Sequence, residues 1–143
     1  MVGPTPAKSK ADRERLAAVS SLPCLPCLID GFPAVPATVQ HVVEARKRLG
    51  DLWTYPSCPW HHQATGISGN VAALTARYGP SLATDSREFQ TRYGSERQLV
   101  HITDAMIRMK ESALMRGEFL THRELVRIAG DLHAEIVLGR SPA

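Results

Sequence analysis

Aromatic residues are scarce in this chain of 143 residues, at 6%. That scarcity argues against a large core of stacked rings and favours a small centre assisted by a metal. Cysteine is scarcer still, with three residues at positions 24, 27 and 58. Three thiols cannot all pair with one another and two of them sit three positions apart, so a disulfide framework is a poor fit. A reducing compartment and metal binding suit the set better. No apolar run approaches the ~18–20 residues of a membrane span. Leu16 to Val19 follows several basic residues, but Asp12 and Glu14 intrude and Pro23 and Pro26 interrupt any extension. Neither a span nor a cleavable leader is expected, and the cytoplasm is the expected location. Strong charge of one sign is also missing. A net charge of +3 with pI 9.0 permits a nucleic-acid partner without arguing for one. What is present, 43% hydrophobic and 22% charged residues, is ordinary for a soluble globular protein of one domain, or a small domain with helical additions.

Residues 1–9 are rich in Pro and Gly and read as a loose arm. From Lys10 to about Ser20 the pattern favours a short helix, which Pro23 ends. Cys24-Leu25-Pro26-Cys27 follows as a tight knuckle, and Asp30-Gly31 signals a turn. Thr38 to Val43 is rich in β-branched residues and reads as a strand, with Pro33 and Pro36 confining it to an edge or to its first residues. In a strand Gln40 and His41 point to opposite faces. Glu44 to Gly50 is charged and reads as surface loop or one helical turn. Asp51 to Ser57 reads as a second short strand, with Trp53 and Tyr55 on one side and Leu52 and Thr54 on the other.

Pro59 suits the first turn of a helix introduced by Cys58, which places His61, His62 and Gln63 in its opening turns. After Gly66 and Gly69 a helical pattern resumes from Asn70 to Tyr78. Asp85-x-x-Glu88 and Ser95-x-x-Gln98 are capping-box signatures, and so is Thr121-x-x-Glu124. The second opens a long helix with Leu99, Ile102, Met106, Met109 and Leu114 as its apolar stripe. The third opens a last helix with Leu125, Ile128, Leu132, Ile136 and Val137 on one face. The expected organisation is an N-terminal arm and short helix over 1–21, a central domain over 22–100, and a helical extension over 101–143.

The chemistry concentrates between positions 24 and 62. Zinc takes four tetrahedral ligands, and structural sites commonly draw them as two close pairs far apart in sequence. Cys24 with Cys27 and Cys58 with His61 form such pairs. A redox CxxC and buried free thiols are the alternatives. A redox pair usually opens a helix after a strand, whereas this one follows a helix. His62 is then left over beside a zinc ligand, and His41 on the strand opposite is its natural companion.

C-x2-C, a His in a strand and then C-x2-H-H is a layout that resembles the HNH endonucleases with the ββα-metal (His-Me finger) fold. More narrowly, PCLPC, QHV and YPSCPWHHQ, with the later GISG and SREFQTRYGSERQL, resemble the phage Ref family, the recombination enhancement function nucleases. The resemblance implies an α+β fold: a zinc-stapled ββα core with mostly helical additions. It further implies hydrolysis of phosphodiester bonds in DNA during phage recombination. His41 would be the general base and His62 the ligand of a catalytic Mg2+ or Mn2+, with Gln40 beside it. Cys24, Cys27, Cys58 and His61 would hold the structural Zn2+. Arg46, Lys47 and Arg48 would grip the DNA backbone, and a RecA filament is the implied partner. Gln40 stands where the family usually has Asp or His, and Ser68 where relatives carry His. The middle Asn of the HNH name has no counterpart in DLWTYPS, so a main-chain carbonyl or Thr54 would take its place. The alternative is a zinc-stabilised module that binds nucleic acid or protein and has lost cleavage.

Overall fold

In a computed structural model, which describes residues 7–140, the chain folds from short local units that start where their caps dictate. Most of the expected N-terminal arm, and the last three residues of the tail, lie outside the described residues. Helix α1 (Lys10–Ser20) begins at Ser9, whose side chain accepts the Asp12 backbone N–H. Helix α2 (Leu25–Ile29) is one short helix of five residues, N-capped by Cys24. The CLPC segment is therefore not a bare turn. Pro26 lies in the first turn, where a missing N–H costs nothing, and it starts the helix rather than breaking it.

Strand β1 (Thr38–His41) is followed by β2 (Val43–Glu44) and β3 (Lys47–Arg48), and then by β4 (Thr54–Ser57). β1 pairs antiparallel with β4, setting Gln40 opposite Tyr55 and His41 opposite Thr54. Between them β2 and β3 form a hairpin, Val43 opposite Arg48 and Glu44 opposite Lys47. This replaces the loop or helical turn expected over 44–50. Ala45 and Arg46 turn with φ of 50° and 65°, the doubly left-handed geometry of a type I′ hairpin. Neither residue is Gly or Asn, so the usual sequence signal of that turn is missing.

Helices α3 (Pro59–Gln63), α4 (Val71–Tyr78), α5 (Ser86–Tyr93), α6 (Glu96–Met115) and α7 (His122–Ile136) complete the order. The architecture is thus a small sheet with many helices. One core gathers Leu25 and Leu28, Val42 and Tyr55, Phe89 and Tyr93, then Leu99, Ile102 and Met106 of α6 and Leu125, Ala129 and Leu132 of α7. A second, smaller cluster forms around the three cysteines and Trp60. Residue 100 falls inside α6, and α7 packs on α2. His122 and His133 of α7 also bond the carbonyls of Phe32 and Arg92, both at 2.9 Å. Met109 and Leu114, expected in the apolar stripe of α6, are instead exposed.

Ser95 makes a complete capping box, accepting from the Gln98 N–H while the Gln98 side chain accepts from the Ser95 N–H. Ser95→Ala is expected to cost about 1 kcal/mol in urea unfolding. Ser95→Asp, which keeps an acceptor at the cap, is expected to lose much less.

Candidate functional site

α2 and α3 bring two pairs of donors to one point. Cys24 caps α2 and Cys27 lies one turn on; Cys58 caps α3 and His61 lies one turn on. All four are buried, and their ligand atoms lie within 4.8 Å of one another, an arrangement that could hold a metal ion. The Cys27 and Cys58 sulfurs are 4.0 Å apart. His61 Nδ1 lies 3.6, 3.5 and 3.2 Å from the sulfurs of Cys24, Cys27 and Cys58. Tetrahedral zinc with its usual bond lengths requires about 3.8 Å between sulfurs and about 3.6 Å from sulfur to nitrogen. The spacing fits that ion.

The imidazole is oriented for this role. His61 Nε2 lies 2.8 Å from the Tyr78 carbonyl, which can only accept, so Nε2 carries the proton and Nδ1 turns its lone pair to the sulfurs. Tyr93 Oη lies 3.1 Å from the same Nε2 and donates to Asp30 at 2.6 Å. Arg92 holds the other oxygen of Asp30 at 2.9 Å. Gly79 is required here. Its φ is +93°, and a Cβ would come within 2.1 Å of Tyr93 Oη. Burial pushes the Cys24 thiol up to about 12. Hydrogen bonding to Cys24 and Cys58, with burial, raises Cys27 as well. Cys58 is pulled far down by hydrogen bonds from Cys24 and Cys27. Three thiols packed this closely do not readily ionise together unless a cation joins them.

His41 closes β1 on the face opposite Gln40. Its Nε2 lies 2.8 Å from Asp51 Oδ1, and Lys8 Nζ holds the other oxygen of Asp51 at 2.6 Å. Lys8, and then His41, hold the Asp51 carboxyl below the usual carboxylate range. An ionised carboxylate fixes the Nε2–H tautomer and leaves His41 Nδ1 free to accept a proton. Asp51 is a candidate that the sequence reading missed, and it stands where an orienting side chain was sought. Its signal was present, as the single acid of DLWTYPS. Thr54, the other candidate for that role, is buried and donates to the Asp51 carbonyl at 2.8 Å.

Gln40 is 7% exposed and shares its face with Tyr55. Its Nε2 donates to the His41 carbonyl at 3.2 Å, and its Oε1 is buried with no partner. Tyr55 donates to Glu96 at 2.8 Å on that side. His62 is half-buried on α3, and burial holds its imidazole below the ordinary value, so it stays neutral with a lone pair to give. Arg46, Lys47 and Arg48 are all exposed on the β2–β3 hairpin and make no ion pair with another described residue. Ser68 is exposed between α3 and α4. Among the described residues, Cys24, Cys27, Cys58 and His61 form the only group of three or more His, Cys, Asp or Glu donors so closely gathered.

Elemental analysis is expected to find about one metal ion per chain, absent from Cys27→Ser, with loss of on the order of 5 kcal/mol or more of stability. Tyr93→Phe is expected to keep the metal but bind it about 10-fold more weakly, because an outer support of His61 is gone. Competition with a chromogenic chelator measures both.

No helix of the described residues is long and apolar enough to cross a membrane. No curated protein gives a significant match to the chain. A family model does, over residues 8–108, and its description is "Recombination enhancement, RecA-dependent nuclease". The match takes in both donor pairs, His41, Asp51 and His62. The chain therefore belongs to the Ref family of recombination-related nucleases.

Proposed function

We propose that this chain is a metal-dependent DNA endonuclease of the HNH type, acting in phage recombination on DNA that RecA has paired. The observation that carries the reading is the His41–Asp51 pair at 2.8 Å, with Nδ1 left free, in a chain that also gathers a buried Cys3His cluster. The order of elements supports it too. An antiparallel strand pair, β1 with β4, runs directly into α3, as the ββα-metal core requires.

In this reading zinc occupies the cluster of Cys24, Cys27, Cys58 and His61 and staples α2 to α3. Its four protein donors leave no open position for substrate, so it is structural. His41 Nδ1 removes a proton from water, which attacks phosphorus in line. Asp51 keeps the ring in the required tautomer and steadies the positive charge that it gains. Lys8 holds Asp51 ionised throughout. A divalent Mg2+ or Mn2+ supplies neutralisation of charge at the phosphate when bound. The residues that would hold it are His62, with its neutral imidazole, and Gln40, whose buried Oε1 has no other partner. Arg46, Lys47 and Arg48 meet backbone phosphates, with their charges uncommitted within the described protein.

Supercoiled plasmid and RecA-paired strands, each incubated with the protein and Mg2+ or Mn2+, test the proposal. His41→Ala and His62→Ala are expected to lower cutting by about 10²–10⁴-fold. Asp51→Asn, acting through His41, is expected to lose about 10–100-fold and to shift the pH profile. If neither substrate is nicked, or the His variants cut as well as wild type, the nuclease reading fails. Binding without cutting favours the alternative, a zinc-stabilised nucleic-acid-binding module.

A further inference from the structure

An open cavity of about 420 Å³ lies next to the His41–Asp51 pair and has no part in the chemistry above. Arg15, Leu52, Trp53, Val100, His101 and Asp104 line it. One wall is the segment that carries Asp51, the partner of the candidate base. Leu52 and Trp53 directly follow Asp51, Thr54 pairs across the sheet with His41, and the Trp53 carbonyl accepts the Val42 N–H at 3.0 Å. The opposite wall is one face of α6, where the spacing of Arg97, Val100, His101 and Asp104 brings successive turns over the same strand end.

The chemistry of the lining selects among ligands. Arg15 is the cation in the wall, and it is already spent. It forms an ion pair with Asp104 and donates to the Thr54 carbonyl at 2.6 Å. A phosphate finds no free charge there. The rest is flat or apolar, and unusually open for such residues: Leu52 is 52% exposed and His101 is exposed. Trp53 is pinned in place. Arg97 lies over the indole at 5.0 Å, itself held by both oxygens of Glu44, and His101 meets the ring edge-on at 6.1 Å. Arg97 does not line the cavity, so the cavity meets the indole on a part that Arg97 leaves bare. An apolar, aromatic slot with a His ring and a carboxylate at its rim suits a planar heterocycle with hydrogen-bonding edges. The volume lies within the usual range of small-molecule sites, ~300–1,000 Å³.

We propose that the Leu52–Trp53–His101 cavity receives an unpaired nucleobase of the strand held at His41, and so directs the enzyme to single-stranded stretches of DNA. The inference rests on the nuclease reading above and deepens it by naming the substrate class. The backbone of a strand lying across His41 would run between Lys8 and the Arg46–Arg48 hairpin, with one base turned toward the cavity. A base inside a duplex is stacked and paired, and would have to be extruded before it could enter. A free strand pays no such penalty, and stacking against aromatic side chains tolerates any base.

The test uses the full chain without added Mg2+ or Mn2+ and three labelled probes: a dT 12-mer, an abasic 12-mer and a 12-base-pair duplex. Trp60 is 2% exposed, so quenching of tryptophan emission by the dT strand reports Trp53. The wild-type chain is expected to bind the dT strand more tightly than the other two, with quenching. The double variant Leu52→Ser/His101→Ala alters only exposed positions and should fold normally. It is expected to lose about 10-fold or more in affinity for the dT strand, while its affinity for the abasic strand and the duplex stays as it was. Equal binding of dT and abasic strands by wild type, or an unchanged dT affinity in the variant, overturns the base site. The two readings also separate cleanly. Base-dependent binding by a chain that cuts neither plasmid nor RecA-paired strands keeps the base site and removes the nuclease. Equal cutting by wild type and the double variant, with no base preference, does the reverse.

Discussion

Everything in this structure depends on four donor atoms meeting where α2 and α3 approach. Neither helix exceeds five residues, and neither would persist alone, since short isolated helices are marginal in water. Convergence of three thiols and an imidazole supplies the missing constraint, but only with a cation. Without one, burial drives Cys24 up, and three thiols packed this closely resist ionising together. The same imidazole then reaches outward through Tyr78, Tyr93 and Asp30 to α4 and α5, so one point of coordination fixes four helices at once.

The two functions of the central stretch are separated by that constraint. A metal with four protein donors has no position for water or phosphate, so it cannot be the reacting centre. The cluster instead sets the start of α3, directly after β4, and β4 sets the register of β1. His41 is placed by that register, and so is the segment from Asp51 to Thr54 that surrounds it. The chain from coordination to candidate base is therefore short: cluster, α3, β4, β1, His41. Disturbing the first link would disorder the last without touching it.

Local signals were legible in the sequence because their physics is local. Asp85, Ser95 and Thr121 each cap the helix that follows, three residues from their partners. Pro59 after Cys58 starts α3 as its fixed φ suggests, and the donor pairs were readable from spacing alone. What stayed hidden needed either register or a broken rule. Asp51 meets His41 only because the β2–β3 excursion returns the chain to the same strand end, a fact that no window of ten residues contains. The hairpin itself turns on Ala45 and Arg46, residues that seldom accept positive φ, so composition pointed away from it. Cys24 to Cys27 was expected as a knuckle and is a helix cap, which shows how a Pro in the first turn reads both ways. Met109 and Leu114 continue the period of α6, but no described element covers them.

Gln40 and His41 illustrate how adjacent residues acquire unlike roles. Period-two alternation sends His41 to the open face, where Asp51 and Lys8 determine its tautomer, and Gln40 inward beside Tyr55 and Glu96. A carboxylate at position 40 would bring a second buried negative charge close to Glu96, whose own carboxyl burial already raises. An amide avoids that repulsion while keeping an oxygen for coordination. Gln at position 40 is thus matched to the interior that this chain has built around it.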